Sequence, residues 1–107
     1  MSWNMRKVKV LVSEAEAGVL EELEPGKHYA FRYNDEYHGE PVSLTLPVKQ
    51  REFRFDRFPA FFDAFLPEGI SLEVFLQREK LDKGDLFGQL LAIGGNHVGA
   101  VSVKRMP

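Results

Sequence analysis

Hydrophobic and polar residues alternate along the first half of the chain, which is the periodicity of a β-strand. The alternation is clearest at 7–12, where valines occupy every second position, and at 27–33, where aromatic residues do. A shorter strand is predicted at 19–23, closed by the turn signal Pro25-Gly26. Another strand is predicted at 41–47, with Val42, Leu44 and Leu46 on one side. The prolines at both ends make it an edge strand or a short one.

The segment Ser13-Glu14-Ala15-Glu16 has the spacing of a helix capping box. Gly18 follows at once, so a turn is predicted there and not a helix.

The second half of the chain has a helical period. Apolar residues at i, i+1, i+4 and i+5 predict a helix over 58–66 that ends at Pro67-Glu68-Gly69; they are Phe61, Phe62, Phe65 and Leu66. Ser71 is predicted to cap a second helix to about Leu81, with three residues facing inward: Leu72, Phe75 and Leu76. Asp85 is predicted to cap a third helix that stops at Gly94-Gly95, and 98–103 forms a last strand.

Strands, then helices, then a strand predict an α+β fold. We expect one domain over 1–107, with a small, mostly antiparallel sheet built from the N-terminal half and the last strand. Two to three helices from residues 58–95 pack with it.

The amino-acid composition limits the classes of function that are expected for the chain. Hydrophobic residues make up 44% and charged residues 28%, which is typical of a globular protein. The chain has no cysteine, which excludes disulfides and thiolate chemistry and fits a cytoplasmic location. No signal peptide or membrane-spanning stretch is predicted, and a net charge of −2 gives no basic field for nucleic acid.

Catalytic motifs are not found in the sequence, so we expect no enzyme, no cofactor and no metal. His28, His38 and His97 lack metal-ligand spacing, although His38 lies beside two glutamates, and a small metal-dependent enzyme is the rival interpretation. The glycine-rich segment 94–99 lacks the lysine of a phosphate loop and follows a helix. No G-x-S-x-G nucleophile motif is present.

A second rival is a nucleic-acid-binding module. Arg51, Arg54 and Arg57 alternate with phenylalanines, as in a stacking platform for single strands. A strand or turn with the basic residues outward and the phenylalanines inward explains the pattern better.

Six phenylalanines lie within the thirteen residues 53–65. A short helix that is apolar over most of its circumference is either fully buried or partly exposed to a partner.

The order of several segments closely resembles the N-terminal subdomain of HipA-type serine/threonine kinase toxins. The most specific is the phenylalanine–aspartate helix ending in Leu-Pro-Glu-Gly at 66–69; the others are the segments 41–47, 90–95 and 98–101. In that family a kinase body follows this subdomain, and no H-x-D-x-x-x-x-N or D-F-G motif is present in these 107 residues.

The resemblance implies a HipS-like antitoxin of a HipBST-type tripartite toxin–antitoxin system, which binds and inhibits a HipT-like or HipA-like kinase. The complex can include a HipB-like DNA-binding protein, and this chain is expected to contact neither DNA nor membrane itself. The alternatives are an N-terminal regulatory subdomain excised from a HipA toxin, or an orphan interaction module.

The predicted partner-binding surface is the end of the phenylalanine-rich helix and the turn after it. Phe65 is predicted to be an aromatic anchor rimmed by carboxylates, whereas Phe61 and Phe62 are assigned mainly to the core. The predicted contact residues are Asp63, Phe65, Leu66, Pro67, Glu68 and Gly69.

Overall fold

A computed structural model describes residues 6–93 and 96–106. Its strands are β1 (Lys7–Val12), β2 (Ala15–Glu24), β3 (His28–Tyr33), β4 (Glu52–Phe55), β5 (His97–Val98) and β6 (Val101–Arg105). Its helices are α1 (Ala60–Asp63), α2 (Gly69–Glu79) and α3 (Leu86–Ile93), and a single 3₁₀ turn covers Val48–Gln50.

The six strands form one antiparallel sheet in the order β4-β3-β2-β1-β6-β5. The last long strand, β6, pairs with the first, placing Val103 opposite Val10. This arrangement confirms the predicted α+β fold.

The two faces of the sheet differ in chemistry, as the alternation predicts. One face carries buried residues such as Val10, Leu20 and Phe31, and the helices contribute Phe62 and Phe87 to the same core. The opposite face carries cross-strand rows of charged and small residues. One such row runs Arg54, Ala30, Glu21 and Lys7.

Strand β2 is longer than predicted. The predicted turn is confirmed at Ser13 and Glu14, whose φ angles are 49° and 71°, and β2 starts directly after it. Gly18 lies inside the strand, where an added Cβ would be 2.3 Å from the carbonyl oxygen of Arg32. Glycine at this position therefore permits close packing between β2 and β3 and does not end the strand.

The predicted strand at 41–47 is wrong. The segment is a loop with a single bridge between Ser43 and Leu46, and its three apolar residues do not share a side. Val42 and Leu46 are buried, whereas Leu44 is 96% exposed.

The helix boundaries also differ from the prediction. Helix α1 has only four residues, and Pro59 precedes it in an extended conformation (φ −62°, ψ 130°). Helix α2 begins at Gly69, two residues before the predicted Ser71 cap. The predicted last strand is a hairpin of β5 and β6 that turns at Gly99 (φ 61°). The predicted helix stop at Gly94-Gly95 lies outside the described residues.

Candidate protein-binding surface

Phe65 is a core residue, which corrects its assignment as an exposed anchor. Its side chain is 3% exposed, and its ring centroid lies 6.0 Å from those of both Phe61 and Phe62. The short helix α1 turns Phe62 and Phe65 toward the sheet, and Phe62 also contacts the ring of Phe31.

The other predicted contact residues lie at or near the surface. Asp63, Glu68 and Gly69 are exposed, and Leu66 and Pro67 are half-buried. Leu66 packs against the core, so its accessible part is only one side of the side chain. The α1–α2 turn is therefore accessible, but Phe65, the expected anchor of the contact, is buried.

A groove between α2 and α3, lined by both apolar and polar side chains, begins at this turn. We call it the α2 groove; its volume is about 550 Å³. It is lined by Pro67, Ile70, Ser71, Val74, Phe75, Arg78, Ala92, Ile93 and Asn96.

Two side chains of the α2 groove are unusually exposed for their type. Ile70 is 84% exposed and Val74 is 54% exposed, and they lie one helical turn apart on α2. The sequence prediction did not identify either residue as exposed, because it assigned only the inward-facing residues of this helix, which include Phe75. The i, i+4 spacing of two β-branched residues outside that ridge was the signal that could have identified them.

Three exposed carboxylates flank Ile70 in sequence, and we call them the acidic rim; none of them lines the α2 groove itself. Asp63, Glu68 and Glu73 are exposed, and none of them joins an ion pair among residues 6–93 and 96–106. Arg78, on the groove wall, is paired with Glu79 at 3.4 Å between Nε and Oε2.

The α3 wall of the α2 groove is fixed to the sheet by an ion-pair cluster. Arg6 donates to both carboxylate oxygens of Asp85 (3.1 and 2.8 Å) and to those of the buried Glu22 (2.8 and 3.0 Å). Asp85 also caps α3 by accepting from the backbone N–H of Gly88 at 3.0 Å, as predicted. The Arg6 guanidinium lies 5.5 Å from the ring centroid of Phe87.

These contacts shift the ionisation of both partners. The hydrogen bonds from Arg6 hold the pKa of Asp85 below its ordinary value of 3.8. The hydrogen bonds to Asp85 and Glu22 raise the pKa of Arg6, so Arg6 and Asp85 are both charged at neutral pH.

The three histidines lie apart, each beside one charged group. His28 lies 3.3 Å from Glu24, His97 lies 3.4 Å from Glu14, and His38 contacts Arg51 at 3.0 Å. Within 6–93 and 96–106, no three His, Asp or Glu side chains are grouped so that they could hold a metal ion.

The basic and aromatic residues around β4 do not form a stacking platform. Arg51 donates to the backbone oxygens of Asn34 and Tyr37. Arg54 is paired with Glu52 at 2.9 Å, and the interleaved rings of Phe53 and Phe58 are buried. The pattern is a strand with basic residues outward.

In the described part of the chain, no helix has the length and apolar character needed to span a membrane.

Two of the comparisons with known proteins, a family model and a solved structure, identify the same family. The family model described as HipA N-terminal domain matches residues 8–104. An uncharacterised protein of Haemophilus influenzae is 34% identical over 100 residues, which are 94% of this chain and 92% of that protein. A solved structure described as the N-terminal domain of HipA toxin superposes with a TM-score of 0.73 at 27% identity, covering 100% of this chain and 98% of that one.

Proposed function

The chain belongs to the HipA N-terminal domain family, and from that premise we propose that it is a non-catalytic protein-binding antitoxin. Its proposed target is a HipT-like or HipA-like serine/threonine kinase, which it binds and holds inactive. The proposed contact surface is the α1–α2 turn together with the α2 groove. We assign it no reaction of its own.

The single observation that carries this proposal is the exposure of Ile70 and Val74 on one side of the α2 groove. A small protein usually keeps such β-branched side chains out of water, and a contiguous apolar patch with a polar rim is typical of a protein-binding site. Of the predicted contact residues, Pro67 lines the groove, and the exposed Asp63 and Glu68 lie just before Ile70 in sequence. They would therefore belong to the same contact as Ile70, with Ile70 replacing Phe65 as its anchor.

The acidic rim supports a partner with a basic surface. Complementary charges steer association and set orientation, and the apolar centre supplies affinity once water is excluded. A kinase cleft, which must bind the phosphates of ATP, is a basic surface of this kind. Occupying or distorting that cleft would inhibit phosphoryl transfer.

The test is co-purification and calorimetric titration of the chain with a HipA-like kinase of the same genome that lacks this domain. Autophosphorylation of the kinase is measured alongside. We expect a stable complex and loss of kinase activity at stoichiometric chain. Ile70→Asp should weaken binding by at least about tenfold, because burying a charge in an apolar contact is costly.

Gln50→Glu is the matched control, since it adds the same charge to an exposed position outside α2 that does not line the α2 groove. It should bind as wild type does. Failure of the wild-type chain to bind or inhibit the kinase would reject the proposed function. Equal binding by Ile70→Asp and wild type would reject the proposed surface.

The match to a solved N-terminal domain of HipA toxin favours one alternative. If the chain acts as the N-terminal regulatory subdomain of a longer toxin, the same surface would meet a kinase body within that protein. Addition of the chain to a kinase that already contains such a domain distinguishes the two cases. Only the antitoxin should inhibit when supplied separately.

A further inference from the structure

The sheet ends at β4, and the outer edge of this strand is open. β4 pairs with β3 on one side, with Phe53 opposite Phe31 and Phe55 opposite Tyr29. Among residues 6–93 and 96–106, no bridge and no backbone–backbone hydrogen bond reaches β4 from its other side. An open edge of this kind can pair with a strand of another chain.

The backbone groups of Glu52 and Arg54 point away from β3. In an antiparallel pair, alternate residues direct their backbone groups to the neighbouring strand. The backbone N–H of Tyr33 donates to the oxygen of Arg51 at 2.8 Å, so Arg51, Phe53 and Phe55 are the residues that bond to β3. The residues between them, Glu52 and Arg54, therefore direct their N–H and C=O groups to the open edge.

One of these outward groups is already hydrogen-bonded to a side chain. Nε2 of Gln50 donates to the backbone oxygen of Glu52 at 3.2 Å. The N–H of Glu52 and both backbone groups of Arg54 bond to no side chain in the part of the chain that the structure describes. Three of the four outward groups are thus available to a partner strand.

The charges on the edge favour one way of pairing. Glu52 and Arg54 have exposed side chains on the face of the sheet opposite the core, 2.9 Å apart. Charged side chains usually protect an edge strand from pairing. Here the two charges differ in sign, so an antiparallel second β4 with its Phe53 opposite Phe53 places each Glu52 opposite Arg54 of the other copy. Opposite charges directly across a ladder stabilise the pair.

The backbone geometry supports the same register. The residues placed opposite each other, Glu52 and Arg54, are those whose N–H and C=O groups point outward, so each pair can exchange two hydrogen bonds. A two-fold axis at Glu52 or at Arg54 would instead place like charges opposite each other. Phe53 lies on the core face of β4, so the apolar layer of one sheet continues into the other.

We propose that the β4 edge is a self-association site, at which two copies of the chain pair through antiparallel β4 strands with the two-fold axis at Phe53. The contact is self-complementary and closes at two copies. It is independent of the proposed function, because no residue of β4 lines the α2 groove. A strand of four residues gives a small interface, so the dimer is weak and reversible.

The first test is analytical ultracentrifugation of the purified chain and its charge variants at several concentrations. Wild type should form a reversible dimer. Glu52→Arg and Arg54→Glu each place like charges opposite each other in both cross-strand pairs, so each should raise the dimer Kd by at least about tenfold. The double variant Glu52→Arg with Arg54→Glu restores opposite charges and should dimerise within about threefold of wild type.

Mixing the two single variants gives a second test. One variant carries two positive charges at these positions and the other carries two negative charges, so the mixture should form a heterodimer that neither forms alone. Native mass spectrometry measures it, with one variant isotope-labelled. Lys104→Glu is the matched control, since it reverses a charge at an exposed position of β6 and should leave the dimer unchanged. All variants should keep the wild-type circular dichroism spectrum.

A chain that stays monomeric at concentrations up to about 1 mM would overturn this inference. A dimer that both single variants leave unchanged would also overturn it, since the copies would then meet at another surface. Hydrogen exchange adds an independent readout, because the amides of Glu52 and Arg54 should become protected as the concentration rises. Kinase binding by the α2 groove is measured separately with Ile70→Asp, so failure of one proposal leaves the other standing.

Discussion

At the residue scale, burial separates apolar side chains that lie close together in the chain. Phe62 and Phe65 are buried under the sheet, while Ile70 and Val74 project from α2 only a few residues later. This difference arises because α1 is short. The helix ends at Asp63, the chain turns at Ala64 and Phe65, and a separate helix, α2, begins at Gly69. Stability and binding should therefore respond to different residues of this segment.

Phe65→Ala should reduce the free energy of unfolding by about 3–5 kcal/mol, since it removes most of a buried aromatic side chain and leaves a cavity. Urea denaturation followed by circular dichroism measures this change. Asp63→Ala, two residues earlier and exposed, serves as the control and should change stability by no more than about 0.5 kcal/mol. An unchanged denaturation midpoint for Phe65→Ala, together with weaker kinase binding, would return Phe65 to the surface as an anchor.

Residue types and spacing identified the segment that borders the candidate surface but not its anchor. The amino-acid sequence contains no helix-stop signal directly after Asp63, where α1 ends. A longer helix would have placed different phenylalanines on its outward face. Ile70 and Val74 could have been found from their i, i+4 spacing, as noted above. The exposure of Leu44 could not be predicted, because the alternation at 42, 44 and 46 is the same for a strand and for a turn held by Tyr33.

At the element scale, the attachment of α3 depends on groups that are distant in sequence. Asp85 caps α3 and pairs with Arg6, which precedes β1 and also holds Glu22 of β2. The capping role of Asp85 was predictable from local sequence, and this prediction is confirmed. The pairing with Arg6 was not predictable, because 79 residues separate the two partners.

The lowered pKa of Asp85 predicts how the stability of the fold depends on pH. A carboxyl group whose folded pKa lies below its unfolded value of 3.8 stabilises the fold fully above that value. This contribution, on the order of 1 kcal/mol after allowance for solvent screening, is lost as pH falls below 3.8 through the folded pKa. Asp85→Asn keeps a good helix cap but removes the charge that pairs with Arg6.

The measurement is the free energy of unfolding of wild type and Asp85→Asn between about pH 6 and pH 2. Wild type should be the more stable at pH 6, and the difference should shrink toward low pH. Asp82→Asn is the control, since Asp82 forms none of the ion pairs found in the described chain. A difference between wild type and Asp85→Asn that stays constant with pH would show that the charge of Asp85 does not stabilise the attachment.

The same distinction between local and distant information explains the elements themselves. The strands at 7–12 and 27–33 were predictable because alternation over six residues is a local signal, and the α+β class followed from their order. The strand order was not predictable, because pairing of β6 with β1 depends on contacts between the two ends of the chain. The sequence predicts one strand where the structure has the hairpin of β5 and β6, because the turn depends on the positive φ of Gly99.

At the scale of the whole molecule, the chain has two unlike sides. The free face of the sheet carries both signs of charge close together, with pairs such as Lys7–Glu21 and Arg54–Glu52. The helix side carries the exposed carboxylates Asp63, Glu68 and Glu73, which form no ion pair with any residue that the structure describes. Paired charges produce little field at a distance, so long-range attraction of a basic partner should come from the helix side.

The association rate with the kinase should therefore fall as ionic strength rises. At 0.1 M salt the Debye length is about 10 Å, so raising the salt from 0.05 to 0.5 M screens the acidic rim before contact. The double variant Glu68→Gln and Glu73→Gln should lower the association rate at low salt by roughly threefold to tenfold. It should leave the dissociation rate nearly unchanged, since rim charges act mainly on encounter.

Asp35→Asn is the control, because Asp35 lines the groove on the free face of the sheet together with Arg32 and Arg54. Stopped-flow or surface plasmon resonance at several salt concentrations measures both rates. If Asp35→Asn changes the association rate as much as the rim variant does, the partner approaches the charged face and the helix side is not the docking side. If the rim variant instead changes only the dissociation rate, Glu68 and Glu73 lie inside the contact and form direct ion pairs there, and the apolar centre of the interface must extend beyond them.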